Sequence, residues 1–153
     1  MIDQLDSLCT ILDQEVKLRR MESKFLKNRY SNFSETLNRL NGGSIDQLLD
    51  YAREFQRERI TYILAVEGKL RLWKKFADEY SHEIPDDPRT RELHALYVGY
   101  SRLYRDVLKI YDQNVIPFHE ALGEDDFNGI SRDVADDIKL EAGWEIIGGA
   151  WRI

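Results

Sequence analysis

Between residues 93 and 115 the apolar positions follow a helical rule without interruption. Leu93, Leu96, Tyr100, Leu103, Val107 and Ile110 recur in alternating steps of three and four, which sets all six on one stripe of a helix. Tyr97, Tyr104, Leu108, Tyr111 and Val115 widen that stripe on one side. A face this broad suits a helix packed against two or more neighbours, and exceeds the two-position seam of a coiled coil. Asp87 followed by Pro88 is a cap and first-turn proline in the favoured order, and Gly123 supplies the stop. Pro117 lies inside this helix and predicts a kink near Gln113 and Asn114.

Two earlier segments carry comparable patterns. From about residue 3 to 41, with Asp3 as a possible cap, Leu5, Leu8, Leu12 and Val16 form a first stripe. Leu18, Met21, Phe25 and Leu26 continue it with some drift, and Phe33, Leu37 and Leu40 complete it. The run Ser31-Asn32-Phe33-Ser34-Glu35 is a poor helix interior, with a capping-box spacing from Asn32 to Glu35, so the helix either bends or restarts there. Asn41-Gly42-Gly43 is a stop in which glycine takes the left-handed conformation at little steric cost. Ser44 then caps a helix whose stripe is Ile45, Leu48, Ala52, Phe55, Tyr62, Val66, Leu70, Trp73, Ala77 and Tyr80. Arg59 interrupts it, as a stem lying along apolar surface with its guanidinium outside.

The three segments are roughly 35 to 39 residues each, or about 52 to 58 Å of helix. Matched lengths joined by short turns predict an all-α fold, an elongated antiparallel bundle of three long helices in up-down-up order over residues 1–123. Residues 124–153 form an acidic, tryptophan-containing segment packed on that bundle, within a single domain overall. There Glu124-Asp125-Asp126 reads as a loop and Ser131 as the cap of a short helix ending at Gly143. The stretch 144–153 reads as a hairpin turning on Gly148-Gly149, with Glu145 opposite Arg152, or as a helix carrying Leu140, Trp144, Ile147 and Trp151 on one stripe. Two glycines cost a helix about 2 kcal/mol, but an isolated ribbon is marginal, and the expectation is helix or irregular structure.

Charge narrows the range of partners. The net charge is −6, of which residues 124–153 carry −5 (8 acids, 3 bases), so the body is close to neutral. That argues against a general nucleic-acid binder, which needs a basic surface to displace counterions. A single cysteine, Cys9, implies no intrachain disulfide, and no run of 18 apolar residues implies a membrane span. The plain expectation is a cytoplasmic protein.

Chemistry is sparsely represented. Glu79 and His82 have the spacing of half a carboxylate-histidine metal site, but the pairs Glu92/His94 and His119/Glu120 lack it, so no metal site and no cofactor is expected. Cys9, among Leu5, Leu8 and Leu12, reads as an inert core thiol. No glycine-rich phosphate loop or serine-nucleophile elbow is present. What remains is surface. Lys17, Arg19, Arg20, Lys24, Lys27 and Arg29 cluster in the first helix, and Lys69, Arg71, Lys74 and Lys75 flank Trp73 in the second. Tyr97, Tyr104 and Tyr111, with Trp144, Ile147 and Trp151, are candidate partner-binding residues, because tyrosine and tryptophan give large contact area at low entropy cost.

The sequence therefore points to a non-catalytic module that binds another protein through helical faces, as an adaptor, a chaperone for another protein's helices or an assembly subunit. It is a possible homo-oligomer and neither an enzyme nor a nucleic-acid binder. The alternatives are a carboxylate-histidine metal-binding bundle and a binder of anionic surfaces through Lys69, Arg71, Lys74 and Lys75.

Overall fold

The computed structural model describes residues 2–31, 33–141, 145–147 and 150–152. The chain is overwhelmingly helical: α1 (Ile2–Arg29), α2 (Phe33–Asn41), α3 (Ile45–Glu83), α4 (Pro88–Leu122) and α5 (Glu124–Glu141) precede two three-residue strands, β1 (Glu145–Ile147) and β2 (Ala150–Arg152). No described helix is long and apolar enough to cross a membrane. By the density of internal contacts the chain falls into two compact units, residues 1–31 with 64–111, and residues 32–63 with 112–153. Both α3 and α4 contribute to each.

Helix ends follow local chemistry. Ser44 Oγ accepts the Asp46 N–H at 3.2 Å, which caps α3 as its sequence predicts, one position earlier than a capping box would have it. Asp87 caps α4: its carboxylate accepts the Arg89 N–H at 2.9 Å and the Arg89 guanidinium at 3.2 Å. These bonds hold the Asp87 carboxyl below its ordinary value of 3.8. Gly123, at φ 87°, ends α4, and its N–H donates to the His119 carbonyl at 2.9 Å. Among the described residues it alone has positive φ, so Gly42 closes α2 without the left-handed turn expected there. α1 is helical from Ile2, which puts Asp3 inside the helix and not ahead of it.

In the first unit α1 turns a fixed phase inward. Leu5, Cys9, Leu12, Val16, Ser23 and Leu26 are each no more than 5% exposed, and steps of three, four and seven connect them, the seven passing through Arg19. The drift read from the sequence is corrected here. Leu18, Met21 and Phe25 are 55%, 67% and 61% exposed, because the inward phase at that level falls on Arg19 and Ser23. Glu15 pairs with Lys69 at 3.5 Å, while Gln4, Ser7 and Leu8 meet Phe76 and Tyr80, so α1 and this half of α3 run in opposite directions. Arg89 reaches Asp6 at 3.0 Å and Tyr111 meets Tyr30 edge-on at 5.9 Å, so α1 and this half of α4 run the same way.

The second unit is built on aromatic rings. Phe118, fully buried, lies 5.4 Å from Phe33, 5.0 Å from Phe55, 5.9 Å from Tyr51 and 5.3 Å from Phe127, ring centre to ring centre. Such pairs add about 0.5 to 1.5 kcal/mol each beyond area burial. Leu37, Leu48, Ala52, Ile130 and Val134 complete this core. Ile45, read as part of the α3 stripe, is instead 60% exposed at the helix start. Arg59 keeps its place on the stripe, and its guanidinium reaches Asp112 at 3.0 Å at the rim.

Three expectations for the chain's breaks and tail resolve differently. Helix breaks after Arg29: Ser31 Oγ–H takes the Asn28 carbonyl at 2.8 Å, and helix resumes at Phe33; the expected cap, Asn32, lies outside the described residues. α5 starts at Glu124, not Ser131, because Glu124, Asp125 and Asp126 favour the positive end of a helix dipole and Phe127, Ile130 and Val134 share one buried face. Ser131 is mid-helix, with its hydroxyl on the Phe127 carbonyl at 3.0 Å. The final stretch is a ribbon, with Glu145 opposite Arg152 and Ile146 opposite Trp151, which corrects the expectation of helix or irregular structure. Gly148 and Gly149 lie outside the described residues. α4 remains helical through Pro117; the bond that proline cannot donate belongs to the carbonyl of Gln113, an exposed residue that water reaches.

Phe118→Ala is expected to destabilise the protein by about 3 to 5 kcal/mol in urea unfolding, while Leu72→Ala and Ile116→Ala, at exposed positions, stay within about 0.5 kcal/mol. Asp87→Asn keeps a capping side chain but loses the charge. Because the folded carboxyl titrates lower than the unfolded one, its contribution is complete above the ordinary value and lost as pH falls through the folded value. The stability gap between wild type and Asp87→Asn should therefore be present at pH 7 and close towards pH 3, as read by urea midpoints.

Candidate functional site

The four-residue turn between α3 and α4 makes these helices adjacent antiparallel neighbours in the first unit. Residues equidistant from that turn face each other: Glu67 lies level with Tyr104, and Lys74 with Tyr97. Glu67, Leu70, Arg71 and Lys74 of α3 and Tyr97 and Tyr104 of α4 thus line one open hollow of about 290 Å³. Two sets of residues read separately from the sequence, an aromatic one and a basic one, meet here.

The hollow's charges are compensated locally. Arg71 Nη2–H donates to Glu67 at 2.6 Å and Lys74 Nζ–H to Asp78 at 3.0 Å. The Asp78 partner also raises the Lys74 pKa, so the ammonium persists well above neutral pH. Tyr104 is 8% exposed, and its phenol is raised first by burial, then by the Glu67 carboxylate, with Arg71 opposing. It is a neutral hydroxyl at pH 7. The result is a hollow in which Leu70 and two tyrosines stand beside paired ions.

The other candidates lie elsewhere. Lys69 turns to Glu15, and Lys75 is exposed away from the hollow. Tyr111 is 2% exposed against Tyr30, a core position. Trp144 lies outside the described residues, as do the side chains of Ile147 and Trp151. Tyr100 is fully buried, its phenol pushed up to about 12 by burial first and by Glu15 next. Glu15, Arg19 and Glu22 of α1 surround it with a polar layer at the edge of an otherwise apolar core. Sequence reasoning passed over that layer. The signal was there: Arg19 and Ser23 fall where the inward phase of α1 requires a residue.

Little of the chemistry-bearing inventory converges. His82 is exposed at the end of α3, and His94 is exposed beside Tyr97, 6.5 Å between ring centres. His119 stands edge-on to Phe127 at 5.1 Å with Nε2 buried and without a hydrogen-bond partner among the described residues. Among the described residues no three of His, Cys, Asp and Glu gather where a metal ion would need them. A second hollow of about 370 Å³ is lined by Gln4, Ser7, Leu8, Phe76 and Tyr80, which include no pairing of nucleophile and base. Cys9 is 5% exposed with its Sγ–H on the Arg89 carbonyl at 3.4 Å, and its thiol is pushed up to about 11, by burial first. Set against protein-family models, curated proteins and solved structures, the chain matches none.

Cys9 should resist a thiol-reactive chromogenic disulfide at pH 8 for as long as the protein is folded, and react stoichiometrically in urea. Fast labelling of the folded chain would show that α1 does not hold the phase described.

Proposed function

We propose that the chain is a non-catalytic protein-interaction module, an adaptor, chaperone-like or assembly subunit, that takes a partner's side chain into the hollow between α3 and α4. In this reading residues 1–123 act as three long helices alternating in direction, and the pairings inside the first unit support that sense. The observation that carries the proposal is the meeting of Tyr97 and Tyr104 with Leu70, Arg71 and Lys74 around one hollow. Its volume, about 290 Å³, sits at the lower edge of the roughly 300 to 1,000 Å³ typical of small-molecule sites. It suits one aromatic or branched anchor better than a cofactor, and a rim of paired ions around an apolar centre is how interface anchors are ordinarily framed. The same ion pairs weaken the reading of Arg71 and Lys74 as a dock for anionic surfaces, since each already has a carboxylate. Trp144, Ile147 and Trp151, near the C-terminus, extend the proposal as a second contact.

A photo-crosslinking amino acid placed at position 97 in the full chain, expressed in its native host, tests this directly. The expected result is one dominant adduct, reduced about tenfold or more by Tyr104→Ala or Leu70→Glu, and missing when the probe is placed at Asp136 on α5. Equal labelling from positions 97 and 136 would contradict it.

A further inference from the structure

The side of α1 turned away from the first unit's core carries a second apolar stripe. Ile11, Leu18, Met21 and Phe25 are 47%, 55%, 67% and 61% exposed. With Gln14 they fall in steps of three, four, three and four, the seam of a two-stranded coiled coil: Ile11, Leu18 and Phe25 at one core position, Gln14 and Met21 at the other. This stripe is separate from the hollow between α3 and α4, and four large apolar side chains in register on one helix face are not the scattered single exposures ordinary surfaces show.

The residues flanking the stripe identify what covers it. On one flank stand Glu15 and Glu22; on the other, Thr10, Lys17 and Lys24. When two such helices lie parallel and in register, each flank residue meets the opposite-flank residue five positions further along the other chain. Lys17 then meets Glu22 of the second copy, twice by symmetry, and Thr10 meets Glu15 neutrally. Only Lys24 against Arg29 is unfavourable, at the last residue of the helix. An antiparallel pair would set the lysine flanks against each other and the glutamate flanks against each other. The existing partners do not forbid the parallel arrangement. Lys17 is held by Asp13 at 2.9 Å through an exposed pair one helical turn away, a weak attachment. Glu22 has one carboxylate oxygen buried beside Arg19 and keeps about a third of its side chain exposed, while Glu15 stays with Lys69. We infer that α1 pairs with α1 of a second copy of this chain, in parallel and through Ile11, Leu18, Met21 and Phe25, with Lys17 and Glu22 setting the register.

Sedimentation equilibrium of the full chain over roughly 1 to 300 µM tests it. The expected result is a reversible dimer whose dissociation constant rises about a hundredfold in Leu18→Glu/Met21→Glu, with the helical circular dichroism unchanged. The charge arm does not depend on the apolar substitutions. Lys17→Glu alone and Glu22→Lys alone should each weaken self-association about tenfold, by placing like charges opposite. Mixing the two variants should restore it, because both pairs between positions 17 and 22 are then of opposite sign. A chain monomeric at 300 µM, a dimer indifferent to Leu18→Glu/Met21→Glu, or a mixture that associates no better than its components would each overturn the inference. The crosslinking readout at position 97 is unaffected by any of these results, so the two proposals fail separately.

Discussion

The folded chain rests on one constraint: each helix must keep a constant angular phase towards its neighbours, whichever residues happen to occupy it. In α1 that phase is Leu5, Cys9, Leu12, Val16, Ser23 and Leu26, and it passes through Arg19. Burying four apolar side chains gains roughly 1.5 to 3 kcal/mol each, enough to hold the phase against the cost of one half-buried guanidinium that keeps a carboxylate nearby. Apolarity decides the phase over the first four turns, and geometry then enforces it. Hence Leu18, Met21 and Phe25 stay outside although each is more apolar than the residues that replace them inside.

The two units meet the constraint with different materials. Aliphatic residues and tyrosines fill the first, and the Tyr100 phenol brings inwards a hydroxyl that has no hydrogen-bond partner among the described residues. The second concentrates phenylalanine: Phe33, Phe55, Phe118 and Phe127 come from α2, α3, α4 and α5, so one knot of rings ties four helices. Gly123 makes this possible. Its positive φ ends α4 and lets α5 begin at the next residue, which carries Phe127 back against Phe118 without a loop.

The legibility of the sequence follows from these physical facts. The broad stripe of α4 was readable because every buried residue from Leu93 to Tyr111 lies on it and none of its residues is exposed. α1 was readable only as far as Val16, since a periodic reading follows apolar side chains and the inward phase later passes through polar ones. The start of α5 was hidden because three acids resemble a solvated loop, although the same acids suit a helix's first turn. The ribbon was readable as one of two alternatives, its Glu145–Arg152 pairing included, but so short a pair of strands is too marginal by itself to be preferred. For the hollow, the tyrosines and the basic residues were individually visible in the sequence. Their meeting depended on the antiparallel register about the turn at 84–87, which residue spacing alone supplies once that turn is taken as the centre.

Cysteine accessibility along α4, in a Cys9→Ala background, tests the constant-phase account most directly. Cysteines placed at 93, 100, 107, 111 and 118 should label slowly in the folded protein, and those at 94, 102, 105, 109 and 116 rapidly. Positions 100 and 116 are decisive, because the first replaces a tyrosine that is buried and the second an isoleucine that is not. Slow labelling at 116 together with fast labelling at 100 would mean that side-chain hydrophobicity, and not a fixed helical phase, determines what this fold buries.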